Sequence, residues 1–123
     1  MPTFEDLRIW QEAHQLMKKI YELCRTLPLD ERFRLRNKIE RSSTSVCDNI
    51  AEGYAAYYYN DKIKGFYTAR KEAGETQNQI RKLSGKDYLD SKRSQKWVEE
   101  YEEVICGING YARYIREKKG AKR

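Results

Sequence analysis

The run Arg41-Ser42-Ser43-Thr44-Ser45-Val46-Cys47-Asp48-Asn49-Ile50-Ala51-Glu52-Gly53 is rich in small side chains and poor in strong helix formers, yet its apolar members recur at helical spacing. Extended outward, Leu35, Ile39, Ser42, Val46, Asn49, Ile50, Gly53 and Tyr57 fall on one face of a single helix. Small residues along such a face let a neighbouring helix approach closely, so packing offsets the weak local propensity. The stretch therefore predicts a deeply buried helix.

The segments on either side repeat the helical period. Before it, Leu7, Trp10, His14, Met17, Tyr21 and Cys24 form one stripe. Beside that stripe, Ala13, Leu16, Ile20, Leu23 and Leu27 widen the apolar arc to roughly 200°, about twice what packing on one core requires. Such a helix has a face to spare. Thr3 with Asp6 fits a capping box, and Leu27-Pro28-Leu29-Asp30 stops the helix and offers Asp30 as the next N-cap. After it, Asn60 or Asp61 can cap a third, more polar helix carrying Ile63, Phe66, Tyr67, Ala73, Ile80 and Leu83. The last helix starts near Asp90-Ser91 and places Trp97, Tyr101, Val104, Ile105, Ile108, Tyr111, Ala112 and Ile115 on one stripe, with Gly107 and Gly110 marking close contact or a bend.

Helices near 4–27, 30–57, 61–84 and 91–117, joined by short connections, predict an all-α, antiparallel up-down-up-down four-helix bundle over 1–115. Residues 116–123 read as a basic C-terminal tail.

The chain has 123 residues, 36% of them charged, two prolines and seven glycines, which excludes collagen-like and low-complexity classes. The longest hydrophobic run, Tyr54 to Tyr59, is far short of the ~20 residues of a spanning helix. With no secretory pattern at its start, the expected compartment is the cytoplasm. Cys24, Cys47 and Cys106 are odd in number and widely spaced, so they read as reduced thiols with no zinc motif. Net charge is +6, and the excess falls in the second half.

Arg41 to Gly53, most strongly Asn49-Ile50-Ala51-Glu52-Gly53, resembles the signature of four-helix-bundle proteins encoded in intervening sequences of bacterial large-subunit ribosomal RNA genes. Phe4-Glu5-Asp6-Leu7 with Trp10, Arg32-Phe33 with Leu35, Ala69, Glu75 and Tyr88-Leu89 extend the likeness over nearly the whole chain. The resemblance implies a ring-shaped homo-oligomer, a pentamer of four-helix protomers. It also implies kinship of fold with the accessory proteins of diversity-generating retroelements, which bind a reverse transcriptase and nucleic acid. Two stretches depart from the family's pattern: Glu72-Ala73-Gly74-Glu75-Thr76, where a serine and leucines are usual, and Tyr57-Tyr58-Tyr59, where basic and polar residues are common.

The functional signal is electrostatic. Arg113, Arg116, Lys118, Lys119, Lys122 and Arg123 oppose Glu117 alone, and Lys62, Lys64 and Arg70 add cations on the third helix. These residues are the expected phosphate contacts of a nucleic-acid-binding surface, RNA or DNA. Tyr54, Tyr57, Tyr58 and Tyr59 offer either base stacking or packing. Arg41, Ser45, Asn49, Glu52 and Gly53 are read as a structural motif, with Arg41 a candidate partner for the polar pair Asn49 and Glu52. No catalytic residue, metal site or cofactor is expected. A lone His14, spaced from Arg8 as in certain helical ribonucleases, is the one enzymatic candidate and reads better as a core or interface histidine. The competing expectation is a protein-interaction scaffold, docking through the first helix or the tyrosine cluster.

Overall fold

The computed structural model describes residues 2–121. After a short 3-10 turn, Phe4–Asp6, come α1 (Arg8–Cys24), a second 3-10 turn (Leu29–Glu31), α2 (Leu35–Ala55), α3 (Tyr59–Gly85) and α4 (Ser91–Ala121). No strand occurs among the described residues. Each helix packs on the next in sequence, and α1 also meets α4. Early residues of each helix face late residues of its neighbour: Ser42 meets Thr76 and Gly53 meets Gly65, Arg70 meets Asn109 and Arg81 meets Gln95, Lys19 meets Glu100 and Ile9 meets Gly107. The architecture is thus the antiparallel four-helix bundle expected.

Its core takes Ala13, Leu16 and Ile20 from α1, Ile39, Val46 and Ile50 from α2, Phe66, Ala69, Ile80 and Leu83 from α3, and Tyr101, Val104, Ile108 and Ala112 from α4. Burial of each large member contributes roughly 1.5–3 kcal/mol. Of the two apolar rows on α1, the one led by Ala13 and Leu16 enters the core. Of the other row only Cys24 joins the core; Leu7, Trp10, His14 and Met17 lie at its margin, and Tyr21 is 40% exposed.

Several boundaries differ from the sequence expectation. The capping box at Thr3 forms, with Thr3 N–H donating to Asp6 Oδ2 (2.8 Å), but it closes the first 3-10 turn rather than α1. Asp30 does not cap α2, which begins four residues later than Glu31 because the chain first turns Glu31 into the protein. There, at 2% exposure, Glu31 Oε2 accepts from Lys86 Nζ (2.5 Å) and Tyr88 OH (3.0 Å), tying the α1–α2 connection to the α3–α4 turn. Neither Asn60 nor Asp61 caps α3; its N-cap is Tyr58, and the Asn60 side chain binds Lys119 instead. Asp90 does cap α4, accepting from the Arg93 N–H (2.8 Å).

Tyr57, placed by periodicity on the buried face of α2, lies beyond that helix and is 86% exposed. A Cβ on Gly65 would stand 2.7 Å from Gly53 Cα, so these two glycines permit the tight α2–α3 crossing. Gly107 packs on Ile9, whereas Gly110 faces open space. Helix α4 continues to Ala121, so Arg116, Lys118 and Lys119, expected in a separate tail, are helical. Lys122 and Arg123 lie outside the described residues.

Candidate nucleic-acid interface

The first turns of α3 and the last turns of α4 run side by side because the bundle is antiparallel. Residues 59–71 and 109–121 carry Lys62, Lys64, Arg70, Lys71, Arg113, Arg116, Lys118 and Lys119 against Asp61 and Glu117. At the centre is Tyr67, half-buried on α3. The Arg70 guanidinium lies 4.6 Å from its ring centroid and that of Arg116 lies 5.8 Å away. Arg70 also donates from Nη1 to Asn109 Oδ1 (2.9 Å), fixing it against α4. Next to Tyr67, Asn60, Ile63, Lys64, Thr68 and Lys71 line an open groove of about 480 Å³. Two guanidiniums held on one aromatic ring keep their outer N–H donors free for phosphate, and the lysines add mobile positive charge along the groove.

The predicted cations divide into groups. Lys64, Arg70 and Arg116 belong to this cluster. Lys118 sits 5.3 Å over the Tyr114 ring, and Lys119 Nζ donates to Asn60 Oδ1 (2.5 Å), which locks the end of α4 to the start of α3. Arg113 is exposed on α4. Lys62 is engaged elsewhere. Its Nζ donates to the Tyr54 carbonyl (2.6 Å) in the last turn of α2, and burial pulls its pKa below the ordinary lysine value. Tyr67 was legible as an apolar stripe residue, and its spacing to Arg70 is visible in sequence. Its meeting with Arg116, forty-nine positions away in the chain, is purely tertiary.

In the small-residue motif, the polar side chains make contacts within α2 and across to α3. Asn49 Nδ2 donates to the Ser45 carbonyl (2.9 Å) and to Ser45 Oγ (3.0 Å), one turn back on the same helix. Arg41 does not reach Asn49 or Glu52. Its Nη2 donates to Glu75 Oε1 (2.7 Å) and its Nη1 lies 3.5 Å from Glu72 Oε2, both on α3. Beside this pair, buried Thr76 donates to Ser42 Oγ (2.9 Å). The acidic run on α3 thus supplies the counter-charges for Arg41. Glu52 is exposed at the end of α2.

The opposite seam has the opposite sign. Between α1 and α4, Arg8, Ile9, Glu12, Glu99, Glu102, Glu103, Cys106 and Gly107 line a groove of about 710 Å³ that repels a polyanion. Arg8 pairs there with Glu12 (3.5 Å), while His14 stacks on Trp10 with ring centroids 4.6 Å apart. The two residues of the ribonuclease-like spacing therefore serve different contacts. Burial pushes the Cys24 and Cys47 thiols up to about 12, which leaves them inert, and no helix among the described residues is long and apolar enough to cross a membrane.

Comparison with known proteins agrees with this architecture. A solved structure from Bacteroides thetaiotaomicron VPI-5482, a protein of unknown function from the S23 ribosomal protein family, superposes with a TM-score of 0.78 over 85% of this chain and 95% of that one. Identity to it is 23%, so the likeness speaks to fold. No curated protein matches. Residues 5–110 match the family model of the 23S rRNA-intervening sequence protein, a span that runs from the first 3-10 turn into the final turns of α4. The chain belongs to the 23S rRNA-intervening sequence protein family.

Proposed function

We propose that this protein is a non-enzymatic, oligomeric four-helix-bundle protein that binds nucleic acid through phosphates at the paired ends of α3 and α4. The observation that carries the reading is the Tyr67 ring with Arg70 and Arg116 on it, beside the groove that holds Lys64 and Lys71. Guanidiniums presented in a fixed plane match phosphate oxygens, and none of these four cations has a carboxylate partner among the described residues. In a closed homo-oligomer, such as the pentamer that family resemblance implies, the cluster repeats about one axis. Individually weak contacts then act together. By the same resemblance the biological setting is an accessory role beside a reverse transcriptase or an rRNA-linked element.

The test is a fluorescence-anisotropy titration of labelled single-stranded RNA and duplex DNA at several salt concentrations, on protein whose mass is set by light scattering. Multi-phosphate binding gives a steep linear fall of log affinity against log salt. Absence of binding at low salt refutes the reading. A second reading, docking of a protein partner, draws on the half-exposed α1 row of Trp10, His14, Met17 and Tyr21. It predicts a pull-down partner that survives replacement of Arg70 and Arg116 and is lost on replacement of Trp10.

A further inference from the structure

The four tyrosines between Tyr54 and Tyr59 split into two populations. Tyr54 and Tyr59 pack against the core, whereas Tyr57 is 86% and Tyr58 67% exposed, with their rings edge to face at a centroid separation of 5.0 Å. The outer pair stands on a corner held from both sides. Gly53 and Gly65 bring α2 and α3 into backbone contact, Lys62 ties the Tyr54 carbonyl to α3, and Lys119 ties Asn60 to α4. A third exposed ring, Tyr114, lies on the adjoining end of α4 under Lys118. Exposed aromatic faces and cations thus occupy the same end of the bundle.

We propose that Tyr57 and Tyr58 form a stacking platform for unpaired bases, so that the ligand class is single-stranded nucleic acid rather than duplex. This inference rests on the phosphate-binding reading above. Tyrosine rings offer flat π-faces that any base can cover, but a duplex keeps its bases stacked inside and presents only its backbone and groove edges. The surrounding charge selects the occupant: Lys64, Arg116, Lys118 and Lys119 complement a polyanion, and a strand whose phosphates follow the Tyr67 groove carries its bases toward the corner. Rigidity at the corner lowers the ordering cost of the stack.

The experiment compares the full chain and its Tyr57→Ser/Tyr58→Ser and Tyr57→Phe/Tyr58→Phe variants against three labelled probes: a single-stranded oligouridylate, an abasic phosphodiester strand of equal length, and a duplex. The unaltered protein should bind the oligouridylate at least about ten-fold more tightly than the abasic strand. The serine pair should lose that preference while keeping its affinity for the abasic strand, and the phenylalanine pair should retain it. Equal affinity for base-bearing and abasic strands overturns stacking and leaves the phosphate reading standing. So does an unchanged preference in the serine variant. Failure to bind any probe at low salt overturns both. The abasic comparison on the unaltered protein holds whatever the fate of the variants.

Discussion

Glycine positions show how differently one residue type is used within a single fold. At Gly65 a methyl group would collide with backbone, 2.7 Å from Gly53 Cα and 3.1 Å from the Asn49 carbonyl oxygen, and backbone has nowhere to move unless α2 and α3 part. Gly65→Ala should therefore cost about 2 kcal/mol in urea unfolding despite alanine's better helix propensity. Beyond its own stretch of helix backbone, Gly110 has no atom of the described residues within 4 Å of the added Cβ, so Gly110→Ala should gain up to about 1 kcal/mol. Burial sorts the thiols in the same way. Cys106 is exposed, and Cys24 and Cys47 are buried with pKa values pushed up to about 12. At mildly alkaline pH, DTNB should titrate Cys106 rapidly and the other two only after unfolding.

Connections between helices depend on tertiary partners more than on their own sequences. α1 ends at Cys24, three residues short of the expected Leu27, and α2 could have started at Asp30; the chain instead uses a 3-10 turn after Pro28 to place Glu31 under Lys86 and Tyr88. The hydrogen bond from Lys86, followed by that from Tyr88, holds the Glu31 carboxyl below the ordinary glutamate value, and the same bond raises Lys86. A depressed acid stabilises the fold above its unfolded pKa and loses that contribution as pH falls through the folded one. A raised lysine stabilises below its unfolded pKa and loses the effect as pH climbs through its folded value. Glu31→Gln should thus lower Tm near neutral pH, with the gap to the parent protein narrowing below the usual glutamate pKa near 4.5 and again above the usual lysine pKa near 10.5, as followed by circular dichroism melting. Inside the bundle, Tyr101 OH is buried without a hydrogen-bond partner among the described residues, so Tyr101→Phe should leave stability unchanged or raise it by about 1 kcal/mol.

For the molecule as a whole, sign separates the surfaces: an acidic seam between α1 and α4, and a cationic end where α3 and α4 meet. If phosphates bind at that end, Lys64→Ala combined with Lys71→Ala should reduce the slope of log affinity against log salt by about 1.4 for a single strand, from two lost contacts at about 0.7 each. Lys62→Ala should leave the slope unchanged and lower Tm, because that ammonium is bound to the Tyr54 carbonyl. A salt series on the two variants, paired with thermal melts, separates the two roles.

The helices and most of the inward faces were legible from spacing alone, since the 3.6-residue period places Leu16, Ile39, Phe66 and Val104 on their core faces whatever surrounds them. Local chemistry likewise determined the Thr3 capping box and the Asp90 cap, which need only neighbours in sequence. Tertiary structure decided which of α1's two apolar rows goes inside, because only the positions of α2 and α4 distinguish them. It decided that Glu31 is buried, that Arg41 answers to Glu72 and Glu75, that Lys62 caps a helix, and that Arg116 joins Arg70 on Tyr67. Each of these is a meeting of groups from separate elements. Periodicity specifies the face of a helix, but the partner across that face exists only once the helices have packed.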